Sequence, residues 1–116
     1  MGYVVHKAII LTAFDDEIEY FHQKARNILG KQCSPIVKSI ANGYASFFIA
    51  TDGSKDGWET CEESKVKRDR FLQWVESNGN QYSCDWVEIE YGADSKDHAK
   101  VVRDSKYEGR ELGSYC

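Results

Sequence analysis

The clearest indication of the fold is the segment from Ile36 to Ala50, I-V-K-S-I-A-N-G-Y-A-S-F-F-I-A. Its two strand-like runs, Ile36–Ala41 and Tyr44–Ala50, are separated only by Asn42 and Gly43. Asn-Gly between such runs is the strongest short-range signal for a two-residue type I′ turn, because both central residues must accept a positive φ. The sequence therefore predicts a β-hairpin that turns at Asn42 and Gly43.

The residues before this hairpin predict a strand followed by an amphipathic helix. Tyr3 to Ala13 is rich in β-branched residues and has a nearly continuous apolar centre, which is typical of an interior strand. Asp15, Asp16 and Glu17 place negative charge where a helix would start, and Gly30 marks its end. Between them, apolar residues recur at intervals of three and four and define one helix face: Ile18, Phe21, Ala25, Ile28 and Leu29.

The residues after the hairpin predict a second helix and a further strand. The helix runs from Thr60 to about Ser77, with Thr60 and Glu63 in the S/T-x-x-E pattern of a capping box. Asp85 to Tyr91 alternates strictly, with the period of a half-exposed strand. We expect one face of this strand to pack against the helices: Val87, Ile89 and Tyr91. We expect the other face to stay open: Trp86, Glu88 and Glu90.

The resulting order, β-α-β-β-α-β, predicts a ferredoxin-like (split βαβ) α+β fold, with a four-stranded antiparallel sheet and both helices on one face. One more short strand is a candidate at Lys100 to Arg103. With 116 residues the chain is expected to form a single domain. We assign that domain to residues 1–108 and expect residues 109–116 to be a frayed tail.

Composition and charge narrow the classes of partner. Fifteen Lys and Arg against nineteen Asp and Glu give a formal net charge of −4, so no overall basic field attracts phosphate backbones, and nucleic acid is not the expected partner. The apolar run Val4–Leu11 is too short to span a bilayer, and the chain start lacks the features of a signal peptide. We therefore expect a cytoplasmic protein without membrane association.

Motifs for catalysis and for zinc binding are absent from the sequence. The cysteines are too far apart for a C-x-x-C pair and are expected to be free thiols: Cys33, Cys61, Cys84 and Cys116. The chain has no G-x-S-x-G elbow, no G-x-G-x-x-G and no phosphate-binding G-x-x-x-x-G-K-[ST] loop. An enzyme is therefore less expected than a binding protein.

One segment has the spacing of a calcium-binding loop. Residues 52–63, D-G-S-K-D-G-W-E-T-C-E-E, place oxygen ligands at the EF-hand positions 1, 3, 5, 9 and 12: Asp52, Ser54, Asp56, Thr60 and Glu63. Gly57 stands at position 6 and the Trp58 carbonyl at position 7. The same letters also fit a plain turn followed by the capping box, so Ca²⁺ binding and a simple turn are both open interpretations.

The function expected first is non-enzymatic binding to another protein. Trp and Tyr are the residues that most often anchor interfaces, so the partner-binding residues are expected to be Trp86, Glu88, Glu90, Tyr44 and Trp58. A small acidic domain of this kind also fits a phage or mobile-element accessory protein that inhibits a host enzyme by covering a basic surface. The alternative is a protein that binds a metal or a small ligand through the Asp52–Glu63 loop or through Glu88 and Glu90.

Overall fold

The computed structural model describes residues 4–55, 57–78 and 84–106. Short connections join seven helices and strands in this part of the chain. In chain order they are β1 (His6–Phe14), α1 (Ile18–Leu29), β2 (Val37–Lys38), β3 (Tyr44–Ile49), α2 (Glu59–Asn78), β4 (Cys84–Tyr91) and β5 (Lys100–Asp104). A single 3₁₀ turn, Gly30–Gln32, follows α1. The residues assigned to a frayed tail, 109–116, lie outside the described part of the chain.

The strands form one antiparallel sheet with the order β2-β3-β1-β4-β5. The α+β class is therefore confirmed for the described residues, as are the two helices. The expected four-stranded ferredoxin-like arrangement is not matched as predicted. The sheet has five strands, because β5 pairs with β4 and adds an edge, and β2 is only two residues long.

The hairpin between β2 and β3 has the predicted backbone at its turn but a longer loop. Asn42 and Gly43 have φ angles of 64° and 70°, so both adopt the positive values that the sequence predicted. The Ser39 N–H, however, donates to the Tyr44 carbonyl at 2.8 Å, which leaves residues 40–43 as the loop. The two-residue turn is therefore wrong. The Ser34 N–H donates to the Phe48 carbonyl at 2.8 Å, which fixes the register of the chain upstream of β2.

The bounds of both helices lie within a few residues of the predicted ones. Gly30 has a φ of 59° and donates its N–H to the Arg26 carbonyl, as expected of a glycine that ends a helix. Helix α2 begins at Glu59, and the Trp58 carbonyl accepts the Glu62 N–H at 3.2 Å. Thr60 therefore lies inside the first turn of α2, and the prediction that it caps the helix is wrong.

The core lies between the two helices and one face of the sheet. Both helices bury their apolar sides in a single cluster with alternate residues of β1, β3 and β4. The largest members with almost no exposed surface are Phe21, Phe71, Ile9, Leu11, Ile18, Ile49, Leu72 and Val75. The odd-numbered positions of β1 and β3 thus face the helices, and the even-numbered positions face away from them.

Candidate functional site

Strand β4 lies in the sheet with the opposite orientation to the one that the sequence predicted. Trp86 is only 6% exposed and belongs to the core cluster, and Glu88 is only 3% exposed. Val87 pairs with Ile10, and Ile89 with Ala8, on the side of the sheet that faces away from the helices. The expectation that Trp86, Glu88 and Glu90 form the open face is therefore wrong.

Glu88 is held in this buried position by two arginines. Its Oε2 accepts the Arg68 Nε–H from α2 at 2.9 Å, and its Oε1 accepts the Arg103 Nε–H from β5 at 2.5 Å. Arg103 also donates from Nη2 to Asp69 at 2.5 Å. Asp69 is bonded in turn to Lys65 at 3.2 Å. Each carboxylate oxygen of Glu88 thus faces a guanidinium, which offsets the cost of taking its charge out of water.

The burial of Glu88 could have been predicted from the position of Arg68 on α2, although not from the periodicity of β4. An alternating strand defines two faces but does not say which one meets the core. On α2, Arg68 stands three, four and seven residues before Phe71, Leu72 and Val75, so it lies on the buried side of the helix. A buried arginine requires an acidic partner, and Glu88 is the residue that supplies it.

The side of the sheet away from the helices, called here the open sheet face, is apolar at its centre. Phe48 of β3, Ile10 of β1 and Val87 of β4 lie side by side across three strands. Ile10 is 43% exposed and Phe48 is 48% exposed. In the next row, Ile89 lies between Ala8 and the exposed Val101 of β5. A solvated sheet face normally carries polar residues at such positions, so this one is unusual.

Aromatic pairs lie at two corners of the open sheet face. Phe14 and Tyr44 stack with their ring centroids 4.8 Å apart, next to the turn at Asn42 and Gly43. His6 and Tyr91 form a tilted pair with centroids 5.4 Å apart at the opposite end of β1. Between them, Thr12 and Ser46 hydrogen-bond to each other at 2.7 Å, which satisfies polar groups that lie within the face. This polar pair separates the exposed row at Ile10 from the Phe14–Tyr44 stack.

The charged residues of the open sheet face are both acidic. Asp85 pairs with Thr12 and is exposed, and Asp104 pairs with Val87 on the neighbouring strand. The described strands place no Lys or Arg on this face, since Lys7, Lys38, Lys100 and Arg103 alternate toward the helix side. The face therefore combines an apolar centre with a negative corner.

The residues that the sequence predicted as partner-binding are not brought together. Tyr44 lies on the open sheet face, in the stack with Phe14. Glu90 lies on the helix side of the sheet with Trp86 and Glu88, and its carboxylate is 3.7 Å from the Lys100 Nζ. Trp58 is exposed at the start of α2, with the Lys55 ammonium 5.7 Å from its ring centre. The five predicted residues therefore lie in three separate parts of the molecule. The prediction did not include the exposed apolar row through Ile10.

The candidate calcium loop is described except for Asp56. Asp52 accepts the Ser54 N–H at 2.9 Å, as in a turn. Partial burial acts to raise the pKa of Asp52, but hydrogen bonds from Ser54 and Ser64 and the charge of Arg68 outweigh it and lower that pKa. The Trp58 carbonyl accepts the Glu62 N–H of the first turn of α2. The described residues contain no group of three or more His, Cys, Asp or Glu able to hold a metal ion. Calcium binding therefore stays a prediction.

The thiols and helices of the described residues add no further candidate. Cys33, Cys61 and Cys84 form no disulfide among the described residues, and Cys116 lies outside them. Neither α1 nor α2 has the length and the apolar composition that a membrane span requires.

Comparison with known proteins assigns no family. No family model matches the chain, and no curated protein is similar to it at a significant level. The function is therefore inferred from the geometry of the site.

Proposed function

We propose that this protein is a non-enzymatic binding module that docks on another protein through the open sheet face. The observation that carries the proposal is the row Phe48, Ile10 and Val87, which leaves two large apolar side chains nearly half exposed at the centre of a sheet. Contiguous apolar patches of this kind on a soluble domain are typical of protein interaction sites.

The free energy of burying these side chains favours docking over simple exposure. Full burial of an Ile or Phe side chain contributes about 1.5–3 kcal/mol, so covering the exposed half of Ile10 or Phe48 would contribute about 1 kcal/mol each. The flanking aromatic pairs would add contact area, since Tyr and Phe anchor many interfaces. An antiparallel sheet also presents these side chains on a rigid base, so little conformational entropy is lost on binding.

The charges on the face narrow the kind of partner. Among the described strands, Asp85 and Asp104 form the acidic corner of this face. Asp104 already accepts the Lys106 N–H at 2.8 Å, so Asp85 is the carboxylate that a covering partner would have to match with a cation. We infer that the partner presents an apolar patch bordered by Lys or Arg. The narrower expectation, that this partner is an enzyme and that docking inhibits it, stays a prediction.

Capture from a lysate of the organism that encodes the protein tests the proposal with matched variants. Ile10→Glu places a charge at the centre of the open sheet face, and Val66→Glu places the same charge on the exposed side of α2. We expect wild type and Val66→Glu to capture the same protein, and Ile10→Glu to lose it. Asp85→Lys should weaken capture, because it reverses the charge that faces the basic border of the partner.

Two controls make the result decisive. The circular dichroism spectrum and thermal midpoint of each variant establish that it is folded. Light scattering after size exclusion shows whether wild type associates with itself. A folded Ile10→Glu variant that captures the partner as well as wild type does would contradict the proposal, and so would self-association that is lost only in that variant.

A further inference from the structure

The helix side of the sheet contains a cavity of about 840 Å³ between the first half of α2 and the strands β4 and β5. Its volume lies in the range of small-molecule sites, about 300–1,000 Å³. It is separated from the open sheet face by the sheet itself, so what it binds is independent of the docking proposed above.

The walls of this cavity are unusually rich in cations for a chain with a net charge of −4. Five cationic side chains line it: Lys7, Lys65, Arg68, Lys100 and Arg103. Three carboxylates face them: Asp69, Glu88 and Glu90. The lining itself therefore carries two positive charges in excess, in a concave site where the field is focused more strongly than on a flat surface. Two carboxylates outside the lining reduce this excess: Asp97 lies 3.6 Å from Lys100, and Asp52 interacts with the charge of Arg68.

Two of the three carboxylates, Glu88 and Asp69, are already occupied and Glu90 lies 3.7 Å from Lys100, whereas the arginines keep donors to spare. Both oxygens of Glu88 accept from guanidinium Nε groups, and both oxygens of Asp69 accept from Arg103 and Lys65. A guanidinium has five N–H donors. Among the described residues, Arg68 uses only Nε–H and Arg103 uses Nε–H and one Nη2–H. Since the Arg68 side chain is only 5% exposed, its remaining donors are already positioned and largely removed from bulk water.

The cavity is much larger than a bare oxyanion needs, and one wall is apolar. Val102 of β5 lines it beside the charged groups, whereas Val101 borders it but has its side chain in the row of Ile89 on the open sheet face. The register between β4 and β5 shifts between Glu88 and Ile89, which puts Val102 opposite no β4 residue. We propose that this cavity binds a small organic molecule that carries a phosphate group. The phosphate would accept from the arginines and lysines, and the organic part would pack on Val102.

Phenyl phosphate is the probe for this site, with phenol and inorganic phosphate as matched controls at constant ionic strength. We expect isothermal titration calorimetry to show binding of phenyl phosphate, weaker binding of inorganic phosphate and none of phenol. The thermal midpoint should rise with phenyl phosphate for the same reason, because a ligand that binds only the folded state stabilises it.

Paired variants test whether this cavity is the site. Lys65→Met with Lys100→Met removes two exposed cations from the lining, and their surface ion pairs add little to folding. Lys31→Met with Lys38→Met makes the same charge change at exposed positions outside the lining. In Lys65→Met/Lys100→Met, the Kd of phenyl phosphate should rise by about tenfold for each charge-assisted hydrogen bond lost. In Lys31→Met/Lys38→Met, the Kd should change by less than about twofold.

Four outcomes would overturn the proposal. The first is no heat and no change of thermal midpoint up to about 10 mM phenyl phosphate, a concentration well above the Kd of even a weak site. The second is equal binding of phenol, and the third is an equal loss in both double variants. The fourth is equal affinity for inorganic phosphate and phenyl phosphate, which would show that the site does not recognise the organic part of the ligand.

Discussion

Replacing Arg68 by methionine should destabilise the fold strongly, because Glu88 would lose one of the two cations that hold it in the interior. The Arg68 Nε lies 2.9 Å from Glu88 Oε2, and both side chains are almost completely buried. Removing one partner of a buried ion pair costs about 3–5 kcal/mol. Arg103 would still donate to Oε1, so we expect the lower end of that range, about 3 kcal/mol.

The free energy of unfolding, obtained from urea titrations followed by far-ultraviolet circular dichroism at neutral pH, measures this loss. Lys65→Met is the matched control, because it replaces a cation of the same helix whose ion pair with Asp69 is largely solvent-exposed. That pair should contribute less than about 1 kcal/mol. The difference between the two variants therefore isolates the effect of burial.

A double-mutant cycle with Glu88→Leu completes the test. If the two side chains form a buried pair, the combined loss should be smaller than the sum of the single losses, with a coupling of about 1–3 kcal/mol. Losses for Arg68→Met and Lys65→Met that agree within about 0.5 kcal/mol, together with no coupling, would refute the reasoning. Glu88 would then face solvent, as the sequence alone predicted.

Three further predictions concern the turn at Asn42 and Gly43, the loss of stability at low pH, and the thiols of Cys33 and Cys84. Gly43→Val should lower the free energy of unfolding by about 1–3 kcal/mol, since it forces a β-branched residue to a φ near 70°; a change within error would contradict the turn geometry. Partial burial acts to raise the pKa of Asp69, but bonds and charges from Arg103 and Lys65 hold it below its ordinary value of 3.8. This carboxylate therefore stabilises the fold above about pH 4 and loses that effect as the pH falls through its folded pKa, so acid titrations should show a shallower loss for Asp69→Asn than for wild type; parallel curves would contradict it. Burial raises the pKa of Cys33 to about 11, and burial with nearby acidic charges raises that of Cys84 to about 12, so iodoacetamide at about pH 8 should alkylate both thiols far more slowly than in the urea-unfolded chain. Equal rates, located by peptide mass spectrometry, would show that the two sites are open.

Much of the fold follows from local sequence signals. The acidic start and glycine end located α1 to within a few residues, and the alternation from Asp85 to Tyr91 located β4. The positive φ of Asn42 and Gly43 follows from local chemistry, because few residue types accept that backbone. The loop length was missed because the upstream bonds of Ser34 to β3 set the register of β2, and those are long-range.

The orientation of β4 could not be derived from its own residues. Charged residues normally mark the solvent side of a strand, but here the partner of Glu88 comes from α2, twenty residues away in the chain, and a second partner comes from β5. The interaction between three elements outweighs the local pattern. The same error hid the open sheet face, because Val87 and Ile89 were expected to pack against the helices.

The most direct test of the account is methyl NMR of the protein on titration with the purified partner from the capture experiment. We expect the Ile10, Val87 and Ile89 methyl signals to shift or broaden, since these side chains lie on the open sheet face, while the exposed Val66 methyls on α2 stay unchanged. Unchanged signals from the open sheet face, with changes centred on Val66 or on Val102 alone, would contradict the claim that this face is the docking surface.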